Sequence, residues 1–136
     1  PEQVLDAFNA TGWTYCIDFD YMGGLSKKLN MSCIGATNYS QKTIYLSEAS
    51  ATLHEFGHFL DWMLGFPAEY EQLFRAEASA APLRNYAKTD SREYFADCFA
   101  YWVKYAENAN AISLLQECAP MTYRYMEDLM RIANRL

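Results

Sequence analysis

The sequence predicts an α+β fold in which a small β-sheet is followed by a mostly helical half. Residues 43–47 alternate between polar and apolar types, as in a strand with one face on a core and one face open. After residue 47, apolar residues recur at helical spacing, and glycine and proline mark the breaks. The chain has no internal repeat and no linker-like tract, so we expect a single domain over residues 1–136.

The part before residue 43 predicts one helix and two short strands. An apolar helical stripe begins at Val4 and ends near Gly12, and residues 13–19 are rich enough in aromatic and β-branched types for a strand. Residues 21–42 contain several glycines and asparagines, which predict turns around one short strand near residues 33–37.

The second half predicts helices separated by short breaks. The predicted helices cover residues 50–64, 69–77 and 90–108, with Thr89 or Asp90 as the cap of the third. Residues 79–88 between them read as a loop around Pro82. A last helix carries Tyr123, Met126, Leu129 and Met130 inward.

Composition narrows the class of partner. The net charge is −6, and the loose trio Arg84, Lys88 and Arg92 is the nearest thing to a basic cluster, so a nucleic acid is disfavoured. No apolar run approaches the roughly 18 residues that a membrane span needs. The chain starts at Pro1 without a methionine or a signal-like apolar run, which indicates a piece of a longer chain.

Residues 51–62 read ATLHEFGHFLDW and contain both histidines of the chain. On a helix, His54 and His58 face the same point, together with Asp61, opposite the apolar stripe. Two imidazoles at this spacing bind one zinc, and the glutamate between them, Glu55, is placed to act on the water that such a metal activates. The alternative is two solvated histidines on a polar helix face. Gly57 favours the metal site, because a glycine inside a helix is kept where something packs very close.

A catalytic zinc needs a third protein ligand, which here must be a carboxylate or a cysteine. Glu69, Glu71 and Glu77 lie on the helix that follows directly. Glu93 and Asp97 lie four residues apart on the long helix, where one acid can bind metal while the other supports it. The residues alone leave this choice open.

Support for a ligating imidazole usually comes from a carboxylate that accepts its other N–H. Asp97 or Asp61 can fill that role. Glu93 also has a purely structural interpretation, since it follows Asp90 by three residues and fits a capping box. The long helix is apolar nearly all round, however, which favours burial and a cation between its two acids.

Three segments resemble a known family. ATLHEFGHFLD, NYAKTDSREYFADCFAYW and CAPMTYRYMEDLMRI are similar to the catalytic domain of anthrax lethal factor and to the related Pro-Pro endopeptidases, which are zinc peptidases of the gluzincin type. The likeness covers roughly residue 43 to the end of the chain. It implies a zincin-like fold, in which an edge strand lies over the cleft, and it favours a secreted or exported protein.

The resemblance also implies a role for each residue of the site. It implies that the zinc ligands are His54, His58 and Glu93. It further implies that Glu55 is the general base and that Tyr86 points its hydroxyl at the metal. Asp97 stands where the lethal factor pattern has glutamate.

We therefore expect a zinc-dependent endopeptidase acting on a polypeptide substrate. The strand at 43–47 is the predicted edge for an extended substrate, with Thr43, Tyr45 and Ser47 as binding residues. Three alternatives differ in class: a non-catalytic docking domain that retains the fold and metal, a hydrolase of another substrate, and a structural zinc site with Cys98 as a further ligand. The sequence gives no oligomeric state.

Overall fold

The computed structural model of the protein describes residues 2–133 and contains a three-stranded sheet followed by a mostly helical half. The helices are α1 Glu2–Ala10, α2 Phe19–Leu29, α3 Thr52–Met63, α4 Ala68–Glu77, α5 Ser91–Lys104, α6 Ala109–Cys118 and α7 Pro120–Ala133. The strands are β1 Thr14–Ile17, β2 Gly35–Asn38 and β3 Thr43–Leu46, and short 3-10 helices lie at Ala49–Ala51 and Asn85–Lys88. The predicted α+β class is confirmed.

The sheet has β3 at its centre. The strand order is β1-β3-β2, with β1 parallel and β2 antiparallel to β3. Ile44 and Leu46 are buried on one face of β3, which confirms the alternation. The other face is partly covered, because the ring of Tyr45 stacks on Tyr21 of α2 with centroids 3.7 Å apart. This second face is nevertheless more open than the first, as expected, since Thr43 and Tyr45 are only half-buried.

The prediction that residues 43–47 form the substrate-binding edge is wrong. β3 is hydrogen-bonded on both sides, so the backbone at Thr43 and Tyr45 lies inside the sheet. Ser47 follows β3, and its N–H donates to the carbonyl of Ile34 at 2.9 Å. The strand with a free edge beside α3 is β2. Alternation reports which face of a strand is buried, but it carries no information on strand order.

Two helices, α2 and α6, depart from the prediction. Gly23 and Gly24 lie inside α2 in a segment that read as turns, and Asp18 begins this helix by accepting a hydrogen bond from the Tyr21 N–H at 2.9 Å. The predicted helix at 90–108 ends at residue 104. Asn108 then caps α6. Local side-chain caps, rather than the apolar period, set these boundaries.

Helices α3 and α5 cross in backbone contact. A Cβ atom at Gly57 would lie 2.7 Å from the Cα of Ala96 and 2.8 Å from its carbonyl oxygen, so only glycine fits there. The close neighbour expected from the helical glycine is therefore present. The central residues 94–99 of α5 are all buried, as its apolar circumference predicts.

Aromatic side chains also fix α3 against α1 and against the residue that precedes β1. Phe59 is fully buried, with its ring centroid 5.0 Å from Phe8 and 5.2 Å from Trp13. Burying one such ring contributes about 1.5–3 kcal/mol, so the position of α3 is set from both sides. None of the helices within residues 2–133 has the length and apolar character needed to cross a membrane.

Candidate metal centre and active site

Helix α3 brings the two histidines together. Side chains four residues apart on a helix lie one above the other, and the Nε2 atoms of His54 and His58 are 3.1 Å apart. The residues are only 8% and 7% exposed. Two solvated histidines on a polar face would be open to water, so that alternative is wrong.

Glu93 of α5 adds a carboxylate to the pair. Its Oε2 lies 2.9 Å from His54 Nε2 and 3.2 Å from His58 Nε2. Asp90 caps α5 by accepting a hydrogen bond from the Glu93 N–H at 2.8 Å. The capping interpretation is therefore right for Asp90. It is wrong for the Glu93 side chain, which reaches the imidazoles and belongs to the site.

The acids of α4 lie elsewhere. Glu71 pairs with Arg75 on the same helix at 3.1 Å. Glu77 is buried and accepts a hydrogen bond from the Thr122 N–H at 2.7 Å, which caps the start of α7. Glu69 lines a separate groove beside α7. Within residues 2–133, the one group of at least three potential ligand side chains is the cluster His54, His58 and Glu93.

The geometry of this cluster fits a metal such as zinc. Zinc bonds imidazole nitrogen and carboxylate oxygen at about 2.0–2.2 Å in a tetrahedral arrangement, which places the ligand atoms about 3.3 Å apart. The three atoms here are separated by 2.9, 3.1 and 3.2 Å. Two nitrogens and one oxygen are also a donor set of catalytic zinc sites, which keep a fourth position for water or substrate.

Asp97 and Arg84 support His54 at Nδ1, the ring nitrogen that is not one of the three ligand atoms. Asp97 Oδ1 lies 2.5 Å from His54 Nδ1. Arg84 binds the same carboxylate with two nitrogens, Nε at 2.7 Å from Oδ2 and Nη2 at 3.0 Å from Oδ1. This places Asp97 where the sequence predicts it. In the sequence, Arg84 is one of a few scattered basic residues. The only sequence feature that connects it with the site is its position two residues before Tyr86.

The second nitrogen of His58 faces Tyr39 and not Asp61. The Tyr39 hydroxyl lies 3.4 Å from His58 Nδ1. Asp61 is buried, and burial raises its pKa to about 6, yet within residues 2–133 it forms no hydrogen bond to either imidazole. The expectation that Asp61 supports a histidine is corrected: the neighbouring group is a phenol from the loop after β2.

Glu55 points toward the free-edged strand. Its Oε2 accepts a hydrogen bond from the Thr37 hydroxyl of β2 at 2.6 Å. The residue is only 5% exposed, on the side of α3 that contacts β2. Thr37 is absent from the sequence-based set of site residues, because no local pattern connects a threonine in a turn-rich segment with a helix 18 residues later.

Tyr86 lies at the rim of the site, in the short helix Asn85–Lys88. Its ring centroid is 5.9 Å from that of His54, and the residue is 41% exposed. The Arg84 guanidinium lies over the ring, 5.0 Å from its centroid. Burial, together with the nearby Glu93 carboxylate, raises the pKa of Tyr86 to about 12. The shift moves this pKa further from neutral pH, where an ordinary tyrosine is already protonated and can donate a hydrogen bond.

The charges of the cluster are coupled. Burial alone would lower the pKa of His54, but hydrogen bonds with Asp97 and Glu93 outweigh it and raise that pKa to about 9. Burial would raise the pKa of Glu93, but hydrogen bonds from the two histidines outweigh it and lower that pKa. Without a metal, the site is an ion-pair cluster whose His54 proton an incoming cation must displace.

A cleft with a volume of about 590 Å³ opens beside His54 and Glu55. Its walls combine apolar side chains, among them Ile34 and Leu53, with Lys104 at the far end of α5. A cleft of this size and mixed lining is typical of sites that bind small molecules or a few residues of a chain.

The fold and this arrangement of helices define the class of protein. A small sheet beside a helix with two histidines, crossed by a helix with a glutamate, is an α+β zincin-like fold. Residues 18–129 match the profile of the family described as "Anthrax toxin lethal factor, N- and C-terminal domain". The chain belongs to this family.

The chain is also similar to two proteins named as Pro-Pro endopeptidases. A Pro-Pro endopeptidase of Clostridioides difficile (strain 630) is 30% identical over 83 residues, which cover 58% of this chain and 36% of that protein. The match thus spans about a third of the relative's length. The solved structure of the Pro-Pro endopeptidase PPEP-2 from Paenibacillus alvei is similar with a TM-score of 0.71 and 19% identity, over 95% of this chain and 84% of that one. This second likeness establishes the fold.

Proposed function

We propose that the chain is a zinc-dependent endopeptidase domain that hydrolyses peptide bonds of an extended polypeptide. The observation that carries the proposal is the convergence of His54, His58 and Glu93, whose ligand atoms lie 2.9–3.2 Å apart, with Glu55 on the same helical turn. The peptidase names of the two relatives support it.

The three ligands and Glu55 divide the chemistry. Zinc held by His54, His58 and Glu93 would polarise a substrate carbonyl and lower the pKa of water to about 7. Glu55 accepts a proton from the attacking water and passes it to the leaving amine, the usual double duty of an acid–base group. Burial of Glu55 keeps bulk water from competing for the same carboxylate.

Tyr86 completes the machinery in this proposal. Its phenol is protonated at neutral pH, as even an unperturbed tyrosine with a pKa of about 10 would be. It donates a hydrogen bond to the oxygen on which negative charge develops, a role worth roughly 10²- to 10³-fold in rate. Its exposed position at the rim leaves the hydroxyl accessible to a bound substrate.

The substrate is an extended chain that adds to the free edge of β2, where backbone groups form hydrogen bonds as in a further strand. Side chains of the substrate then enter the cleft beside His54. The names of the relatives make peptides with a Pro-Pro bond the first substrates to test. The family resemblance favours a secreted or exported enzyme.

Metal analysis combined with cleavage of a diverse peptide library tests this proposal. We expect stoichiometric zinc and cleavage by the parent protein, and we expect Glu55→Gln to keep the zinc and lose the cleavage. Full activity of Glu55→Gln would falsify the assignment of the base. A parent protein that holds zinc and cleaves no peptide would support the docking-domain alternative.

A further inference from the structure

We propose that Thr37 is a positioning residue of the general base: its hydroxyl fixes the orientation of the Glu55 carboxylate, and Gly35 leaves the room that this orientation needs. The inference rests on the proposed function, because it assigns a role toward Glu55 as the base. It concerns the edge strand β2, which otherwise serves only to bind substrate.

The hydrogen bond is short, and the other acceptor near the hydroxyl, the backbone carbonyl of Glu55, lies farther away at 3.5 Å. Thr37 Oγ1 lies 2.6 Å from Glu55 Oε2. Within residues 2–133, this hydroxyl is the one donor hydrogen-bonded to the carboxylate. Hydrogen bonds to an ionised acceptor are shorter and roughly twice as strong as neutral ones, so a single bond of this kind can select one orientation.

The strand places two residues against the base. Residues two apart on a strand face the same side, so Gly35 and Thr37 both face α3. A Cβ atom at Gly35 would lie 2.8 Å from Glu55 Oε1, 2.9 Å from Glu55 Cγ and 2.9 Å from Ala51 Cβ. Any side chain at Gly35 would push the glutamate away, so β2 contacts one oxygen of the carboxylate and holds the other.

The arrangement has a chemical consequence. A proton acceptor must lie within hydrogen-bond reach of the water that it deprotonates, and a misplacement of about 1 Å can cost roughly 10²-fold in rate. With Oε2 held by Thr37 and Oε1 packed against Gly35, the orientation in which the carboxylate meets the water is fixed. Since Thr37 belongs to the strand that we propose binds substrate, β2 would position both the base and the bound peptide.

The test compares Thr37→Val with Thr37→Ser in the zinc-loaded protein. Valine keeps the shape and removes the hydroxyl, and we expect kcat to fall roughly 10- to 100-fold with KM, zinc content and melting temperature unchanged. Serine restores the hydroxyl, and we expect most of kcat to return. Thr14→Val on β1 is the matched control, because it removes an exposed hydroxyl from the same sheet and leaves kcat unchanged.

Wild-type kcat in Thr37→Val, or a loss of kcat that follows a loss of zinc or of melting temperature, overturns the inference. Crystal structures of the zinc-loaded parent and of Thr37→Val separate this failure from that of the proposed function. We expect the Glu55 carboxylate to turn away from β2 in the variant. An unchanged carboxylate overturns the positioning role, whereas a parent protein that cleaves no peptide overturns only the proposed activity.

Discussion

The two histidines are neighbours on one helix, yet their other ring nitrogens have different surroundings. His54 Nδ1 meets the Asp97 carboxylate at 2.5 Å, and Arg84 holds that carboxylate with two further bonds. Within the described residues, the hydrogen-bond partner of His58 Nδ1 is the phenol of Tyr39, at 3.4 Å. Because charge-assisted bonds are the stronger ones, the site has a firmly held side and a more adjustable side. Glu93 connects the two.

The largest expected effect comes from removing the group that both histidines share. Glu93→Ala leaves two ligands, so we expect zinc affinity to fall by more than the 10- to 100-fold typical of losing a supporting residue. Asp90→Ala is the matched control, since it removes the helix cap, at a cost of about 1 kcal/mol, and keeps the ligands. Zinc titration with a competing chelator measures both. If Asp90→Ala loses the metal and Glu93→Ala keeps it, the structural-cap interpretation is right.

The next comparison separates the two sides. Asp97→Asn removes the charged support of His54, and we expect zinc affinity to fall about 10- to 100-fold. Tyr39→Phe removes the weaker neighbour of His58, and we expect a smaller loss. Both changes are nearly isosteric, so the same chelator titration compares them directly. Equal losses in the two variants would mean that the two imidazoles are held equally.

The third prediction concerns pH. The pKa of His54 is raised to about 9, so its charged contacts stabilise the metal-free protein fully below about 6.5 and are lost as pH rises through 9. Zinc must displace that proton, so affinity should increase by up to about tenfold per pH unit over the same window. Asp61, with a pKa of about 6, is already largely ionised there.

Melting curves of the metal-free and zinc-loaded protein between pH 6.5 and 9 check this prediction. As pH rises, we expect the melting temperature of the metal-free protein to fall. We expect the difference in melting temperature between the zinc-loaded and the metal-free protein to increase. Parallel curves would mean that His54 does not hold a proton in the metal-free site.

The smallest expected effect is that of the outermost support. The Arg84 side chain is 54% exposed, so solvent screens its pairing with Asp97. We expect Arg84→Ala to weaken zinc binding by roughly two- to fivefold, the range of partly exposed ion pairs. A loss as large as that of Asp97→Asn would show that Asp97 depends on Arg84 for its position.

Helical periodicity was sufficient to predict half of the site. The spacing of His54 and His58 requires no knowledge of the fold, because it places both imidazoles on one side of any helix that forms there. Glu93 comes from another helix, and the residue pattern alone did not decide which of several acids is the third ligand. Only the family resemblance selected it and Tyr86.

The residues that the sequence did not reveal act across the fold. Thr37, Tyr39 and Arg84 reach the site from loops or an edge strand, and their partners lie 13 to 19 residues away in the chain. The same reason explains the error at β3: alternation identified a strand, whereas its neighbours depend on pairing with β1 from before α2.

The contact at Gly57 also limits how the site can change. Because the main chains of α3 and α5 touch there, no trimming of side chains can bring the helices closer, and no larger residue fits between them. The distance between the histidines and Glu93 is thus set by main-chain atoms, which side-chain substitution does not move. Retuning the pocket for an ion of different radius would have to proceed through the length of the ligand side chains, for instance by Glu93→Asp.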